Sequence, residues 1–220
     1  MTENQIINGV FYASLGTAAI PFTMMLFKGK KLKSKMYMWL GLYFLTLLIL
    51  HGFMRSIYEG WELNWFIFNA GVVISFVFIT LFYFHLLKTK SLKHIVLSKI
   101  PIALTVFVME FLYLGDIDEY YVFTYITIHF FVTIYALYYF YEILNKNIEH
   151  DYLENSGAFW INAGTLLFYG GTFIVAVIYN ILLRDVIDHT VYSCLIVSIL
   201  SIVANLLFSL GLTTSKIRLT

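Results

Sequence analysis

Charge is what this sequence has least of. Only 12% of its 220 residues are Asp, Glu, Lys or Arg, about half the share found in soluble globular domains. A formal net charge of +1 leaves no bulk positive field to hold a nucleic acid. Cysteine occurs once, at Cys194, inside an apolar run. No disulfide can therefore close within the chain, and no cysteine-based zinc site is suggested. The absence of any Asn-x-Ser/Thr acceptor removes one sign of a eukaryotic secretory route.

Several chemistries lack their residues. There is no His-Glu-x-x-His, no Gly-x-Ser-x-Gly and no aspartyl pair inside an apolar segment, so the common hydrolase arrangements are missing. A retinal Schiff base needs a lysine within a helix, and the last apolar segment has none before Lys216. Haem needs axial ligands, but His51 and His129 fall on different segments at different depths. No cofactor is expected.

What the chain does have is hydrophobicity. Sixty per cent of its residues are apolar and mean hydropathy is +0.82, a membrane composition. Seven apolar stretches, roughly 5–27, 36–57, 62–87, 97–115, 119–144, 158–183 and 190–213, are long enough to span hydrocarbon as helices. None shows the short alternating pattern of a membrane β-barrel. The expected fold is thus all-α, a single polytopic domain of seven transmembrane helices over 1–220. The first stretch is too long for a signal-peptide core and lacks a small-residue cleavage site, so it reads as a retained helix. Short connections leave no extramembrane domain in this sequence. Pro21 and Pro101 should bend or begin helices 1 and 4, and Gly164, Gly170 and Gly171 should admit a close helix neighbour.

Lysine and arginine predict orientation. Lys28, Lys30, Lys31, Lys33, Lys35, Lys88, Lys90, Lys93, Lys99, Lys146, Lys216 and Arg218 fall on one side, and only Arg55 and Arg184 on the other. The rule that basic residues stay inside then places the N terminus outside and the C terminus inside. A bacterial cytoplasmic (inner) membrane is the expected location.

Polar residues recur at helical spacing and so share faces. Helix 5 carries Tyr121, Tyr125, His129 and Thr133; helix 6 carries Asn162, Thr165, Tyr169, Thr172 and Tyr179; helix 7 carries Cys194, Ser198, Ser201, Asn205 and Ser209. In helix 2, His51, Arg55 and Glu59 lie along one face. Such stripes either bond helix to helix or line a cavity. At ~1.5 Å per residue, His51, Glu110 and Asn180 sit roughly 6–9 Å below the outer boundary. Arg55 is shallower, and Asn69 and His129 are nearer the midplane. An ionisable group in hydrocarbon is costly and marks a candidate site, and Glu110 must be protonated or paired. Arg55 and His129 are the expected partners. The candidate ligand-binding or proton-coupled set is therefore Glu110, His129, His51, Arg55, Asn69, Tyr125 and Asn180. Glu142, near the inner boundary, should reach water or Lys146 and act structurally.

From helix 2 onward the residues Leu50–Gly60 (LHGFMRSIYEG), Leu81–Leu87 (LFYFHLL) and Phe159–Asn180 (FWINAGTLLFYGGTFIVAVIYN) carry a likeness. The chain resembles an uncharacterised family of small seven-helix integral membrane proteins of Bacteroidota, often encoded near two-component signalling genes. That resemblance implies a sensing or accessory role and transfers no site residues; helix 7 here lacks the tryptophan common in the family's closing helix. Three functions are then weighed. The first is a non-enzymatic membrane sensor or accessory protein with an outer-half polar pocket around Glu110 and His129. Its expected partners are membrane lipids, a signalling protein and a small-molecule or lipid-like ligand. The second is a small-solute or proton transporter or channel, which needs a polar path from Glu110 and His129 to Asn162 and Asn205. The third is a membrane-embedded enzyme with His51, Glu110 and His129 around a metal.

Overall fold

A computed structural model of the chain describes residues 3–28, 35–58, 65–114, 121–145, 156–178 and 190–214. Among the described residues the protein is helical, with no strand. The helices are α1 (Glu3–Lys28), α2 (Lys35–Tyr58), α3 (Trp65–Leu86), α4 (Lys90–Leu114), α5 (Val122–Asn145), α6 (Gly157–Val177) and α7 (Thr190–Thr213). Six of them contain stretches long and apolar enough to cross a membrane, and α2 contributes a shorter one, Lys35–Leu50. With hydrocarbon outside, every backbone group must be satisfied within its own segment, which helices achieve. The chain is a multi-pass membrane protein.

Each helix packs on its sequence neighbours, and α7 returns to α1, so the seven close into a ring. Contacting pairs fix the antiparallel sense. Met25 lies against Gly41 between α1 and α2, Trp39 stacks on Phe78 between α2 and α3, and Phe66 meets Phe107 and Phe111 between α3 and α4. Rings fill the centre: Tyr43 and Phe44 of α2 reach Tyr169 of α6 and Phe208 of α7, while Phe76 of α3 meets Tyr135 of α5. The many aromatics thus divide between a closed core and a lipid-facing exterior, where Phe27, Tyr113 and Phe123 are among the most exposed. Half of the spanning window of α3 and of α6 is buried, against 17% for α4. α4 is the rim helix.

Three features differ in detail from the expectation. α4 starts at Lys90 rather than at 97, because the lysine-rich Lys90–Leu97 stretch is helical without being apolar. Lysine favours helix, and long basic side chains on such a turn can reach headgroups. Pro101 accordingly lies inside α4, as Pro21 lies inside α1, and does not begin it. The third difference is in α6, where Leu166–Gly170 forms one turn of π-helix.

Gly164 and Gly171 admit α7 as expected, facing Phe208 and Leu200. Gly170 instead faces Thr133 of α5 at ordinary contact distance. The tightest approach involves a glycine that the sequence did not single out, Gly211, whose Cα sits against the backbone of Gly157.

Candidate functional site

The acidic residue at the α4–α5 end proves to be a helix cap. One Glu110 oxygen accepts the Phe123 N–H at 2.8 Å and the other accepts the Thr124 N–H at 2.6 Å. The Asn69 side-chain oxygen, from α3, accepts the Tyr121 N–H at 3.3 Å. The first amides of a helix have no partner within it, and burying them unpaired is costly. Glu110 and Asn69 fill that role for α5, and a carboxylate there also meets the positive end of the helix dipole. The expected partner His129 therefore does not hold Glu110. It lies five residues beyond Thr124, about 7–8 Å along the axis.

The opposite end repeats the device in reverse. Glu142, in the last turn of α5, accepts the Lys88 N–H at 2.9 Å and the Thr89 N–H at 2.6 Å, just ahead of α4. The other expected contact, Lys146, lies outside the described residues. Each helix of the α4–α5 hairpin thus lends a glutamate to the amino-terminal amides of the other. Both glutamates are buried, at 8% and 7% exposure, which fits fully used acceptors.

His129 has different surroundings. Its Nδ1 lies 2.8 Å from the Tyr125 carbonyl oxygen; a carbonyl only accepts, so Nδ1 carries the proton and Nε2 is the bare nitrogen. The imidazole stacks on Tyr125 at 3.8 Å between centroids, with Tyr169 at 4.8 Å and Phe168 at 6.2 Å. Those last two belong to the π turn. Such a turn accommodates one extra residue, is commonly found at functional sites, and here aims two rings at one histidine. Nothing in the spacing of helix 6 announced it beyond the adjacent Gly170 and Gly171.

Beyond Tyr169 runs a column of buried polar side chains. The Tyr169 hydroxyl neighbours those of Tyr43 and Ser75, yet the Tyr43 oxygen is buried without a hydrogen bond. Further along, Tyr83 donates to the Asn162 oxygen at 2.7 Å, and Asn162 donates to the Ala158 carbonyl at 2.9 Å. Tyr43 and Tyr83 were missed in the sequence because an aromatic at a core position looks like packing alone. Replacing Tyr83 with Phe is expected to orphan the Asn162 oxygen and lower stability by about 1–3 kcal/mol. Thermal unfolding in detergent micelles measures it.

The polar stripes are satisfied mostly within their own helices. Thr133, Thr165, Thr172 and Ser209 each donate to a carbonyl four residues back, and Asn205 donates to Ser201. Their hydrogen bonds are thus made within their own helices. Of the sequence-derived set, Asn69 and Glu110 meet at the start of α5, and Tyr125 and His129 meet at the π turn. His51 and Arg55 lie on α2 at positions whose side chains are outside the description, and 180 is outside the described residues. Among the described residues no three His, Cys, Asp or Glu side chains gather as a metal set. Comparison with protein-family models, with curated proteins and with solved structures finds no match.

Proposed function

We propose that this chain is a non-enzymatic membrane sensor or accessory protein whose responsive element is the His129 cluster, with Glu110 in a structural role. The observation that carries this is the buried imidazole of α5 enclosed by Tyr125, Phe168 and Tyr169, two of which sit on the π turn of α6. A second proton on His129, or a small ligand that displaces its ring, would have to move those rings. A π turn can yield by returning to α-helical register, which rotates the residues beyond it. α6 is packed closely on α7, so that rotation would be passed to α7 and from there to a partner protein. We assign the N terminus to the outside and the C terminus to the inside of a bacterial cytoplasmic membrane, on the strength of the lysine distribution.

Amide hydrogen exchange in lipid nanodiscs tests the responsive element. Acidification from neutral pH is expected to raise exchange across Leu166–Val177, and His129→Gln is expected to abolish that rise. An identical pH response in His129→Gln would remove His129 from the account. Orientation is tested in a Cys194→Ser background. A cysteine placed ahead of Glu3 should react with an impermeant maleimide in intact cells, and one after Thr214 only after lysis. The reverse pattern would overturn the assignment.

The column from His129 through Tyr169 and Tyr43 to Tyr83 and Asn162 favours proton passage as the second reading. Proton flux into liposomes carrying the protein, lost in Tyr43→Phe, would support it. Equal flux in empty liposomes would dismiss it.

A further inference from the structure

Two lysines and a histidine gather from three helices at the bundle end that carries the α3–α4 connection. His85, in the last turn of α3, is half-buried and stands edge-on to Phe84, with ring centroids 5.3 Å apart. Lys93, in the first turn of α4, holds its Nζ 5.6 Å above that same Phe84 ring, a favourable cation–π placement. Lys35, exposed at the first residue of α2, lies at this same end, because α2 packs antiparallel on α3. Bringing like charges together is unfavourable without a counter-charge. Glu142 is the one acidic residue described at this end, and its oxygens bind the Lys88 and Thr89 amides.

We propose that Lys35, His85 and Lys93 form a seat for the phosphate of an anionic membrane phospholipid. An anion arriving at a helix start would ordinarily use the free backbone amides. Glu142 already occupies those ahead of α4, so side chains must supply the contacts, two ammonium groups and an imidazole N–H. The depth is right for a headgroup, because His85 is the next-to-last residue of the α3 span and Lys93 lies in the first turn of α4. Basic residues at this level hold anionic lipids. A lipid fits better than free phosphate because α4 is the rim helix and exposes Ile95 and Ile102, seven residues apart on one face, as a bed for acyl chains.

The test uses the full chain, delipidated in neutral detergent, with phosphatidylglycerol, phosphatidylcholine or inorganic phosphate added. Native mass spectrometry counts the retained lipid and thermal unfolding reads its effect. Phosphatidylglycerol should be retained and should raise Tm. Retention should fall at least fivefold in K93Q and in the triple variant K35Q/H85Q/K93Q, and stay unchanged in Lys99→Gln, whose ammonium lies over Phe131. If the triple variant does not purify folded, K93Q carries the comparison. Equal retention of phosphatidylcholine, equal retention by K93Q, or equal stabilisation by inorganic phosphate would each overturn the proposal.

Discussion

Replacing Glu110 with alanine is expected to unfasten the start of α5. The Phe123 and Thr124 amides that donate to its oxygens would be left without that acceptor. An unsatisfied buried donor costs roughly 1–3 kcal/mol, and two are lost together, so a loss of about 2–5 kcal/mol is expected. Thermal unfolding in nanodiscs should show it as a markedly lower Tm, and hydrogen exchange should place the loosening at residues 121–126. Glu110→Gln keeps one acceptor oxygen and should fall between wild type and alanine. The comparison also separates two roles. A glutamate that carries protons would lose function in the glutamine variant with little change in stability, whereas a cap loses stability.

Gly211→Val carries the second large effect. A Cβ at 211 would stand 2.6 Å from the Gly157 carbonyl oxygen and 3.1 Å from the Ile161 amide nitrogen. Both are backbone atoms, which no rotamer change can move aside. The α6–α7 pair must therefore separate, losing the contacts of Phe208 with Gly164 as well. Overpacking of this kind costs about 1–3 kcal/mol, and the two branched methyls of valine put the outcome at the upper end. Gly9, where a Cβ would meet nothing within 4 Å, is the control, and Gly9→Ala should leave Tm unchanged. Equal stability of Gly211→Val and wild type would show that α6 and α7 do not approach as described.

The span count was legible because a membrane helix is written in continuous apolar length, which one sequence displays openly. The faces of α5, α6 and α7 were legible for the same reason, since a spacing of three and four fixes which residues share a side. Partner choice was not. Glu110 was expected to be protonated or paired with Arg55, whose side chain is outside the description, or with His129; the structure gives it two amides of the next helix. That depends on how far α4 extends past the start of α5, and no residue pattern encodes it. Glu142 was expected to reach water or Lys146 in a structural role; the amides ahead of α4 that donate to it were not anticipated, and 146 lies outside the described residues. His129 was singled out by its cost in hydrocarbon, but its companions Phe168 and Tyr169 arrive through a π turn. Registers of 3.6 residues cannot anticipate that turn. Tyr43 and Tyr83 were passed over because a tyrosine in a membrane helix serves equally as packing or as a polar group.

The central claim is that His129 switches while Glu110 holds. Nitrogen NMR of imidazole-labelled protein in lipid bilayers tests it most directly, following His129 from neutral to acid pH. A single proton on Nδ1 is expected at neutral pH, as the bond to the Tyr125 carbonyl requires. On acidification Nε2 should gain a proton together with a change in the Tyr169 ring signals. A His129 that keeps one tautomer throughout, while the Leu166–Val177 amides still respond to pH, would contradict the account.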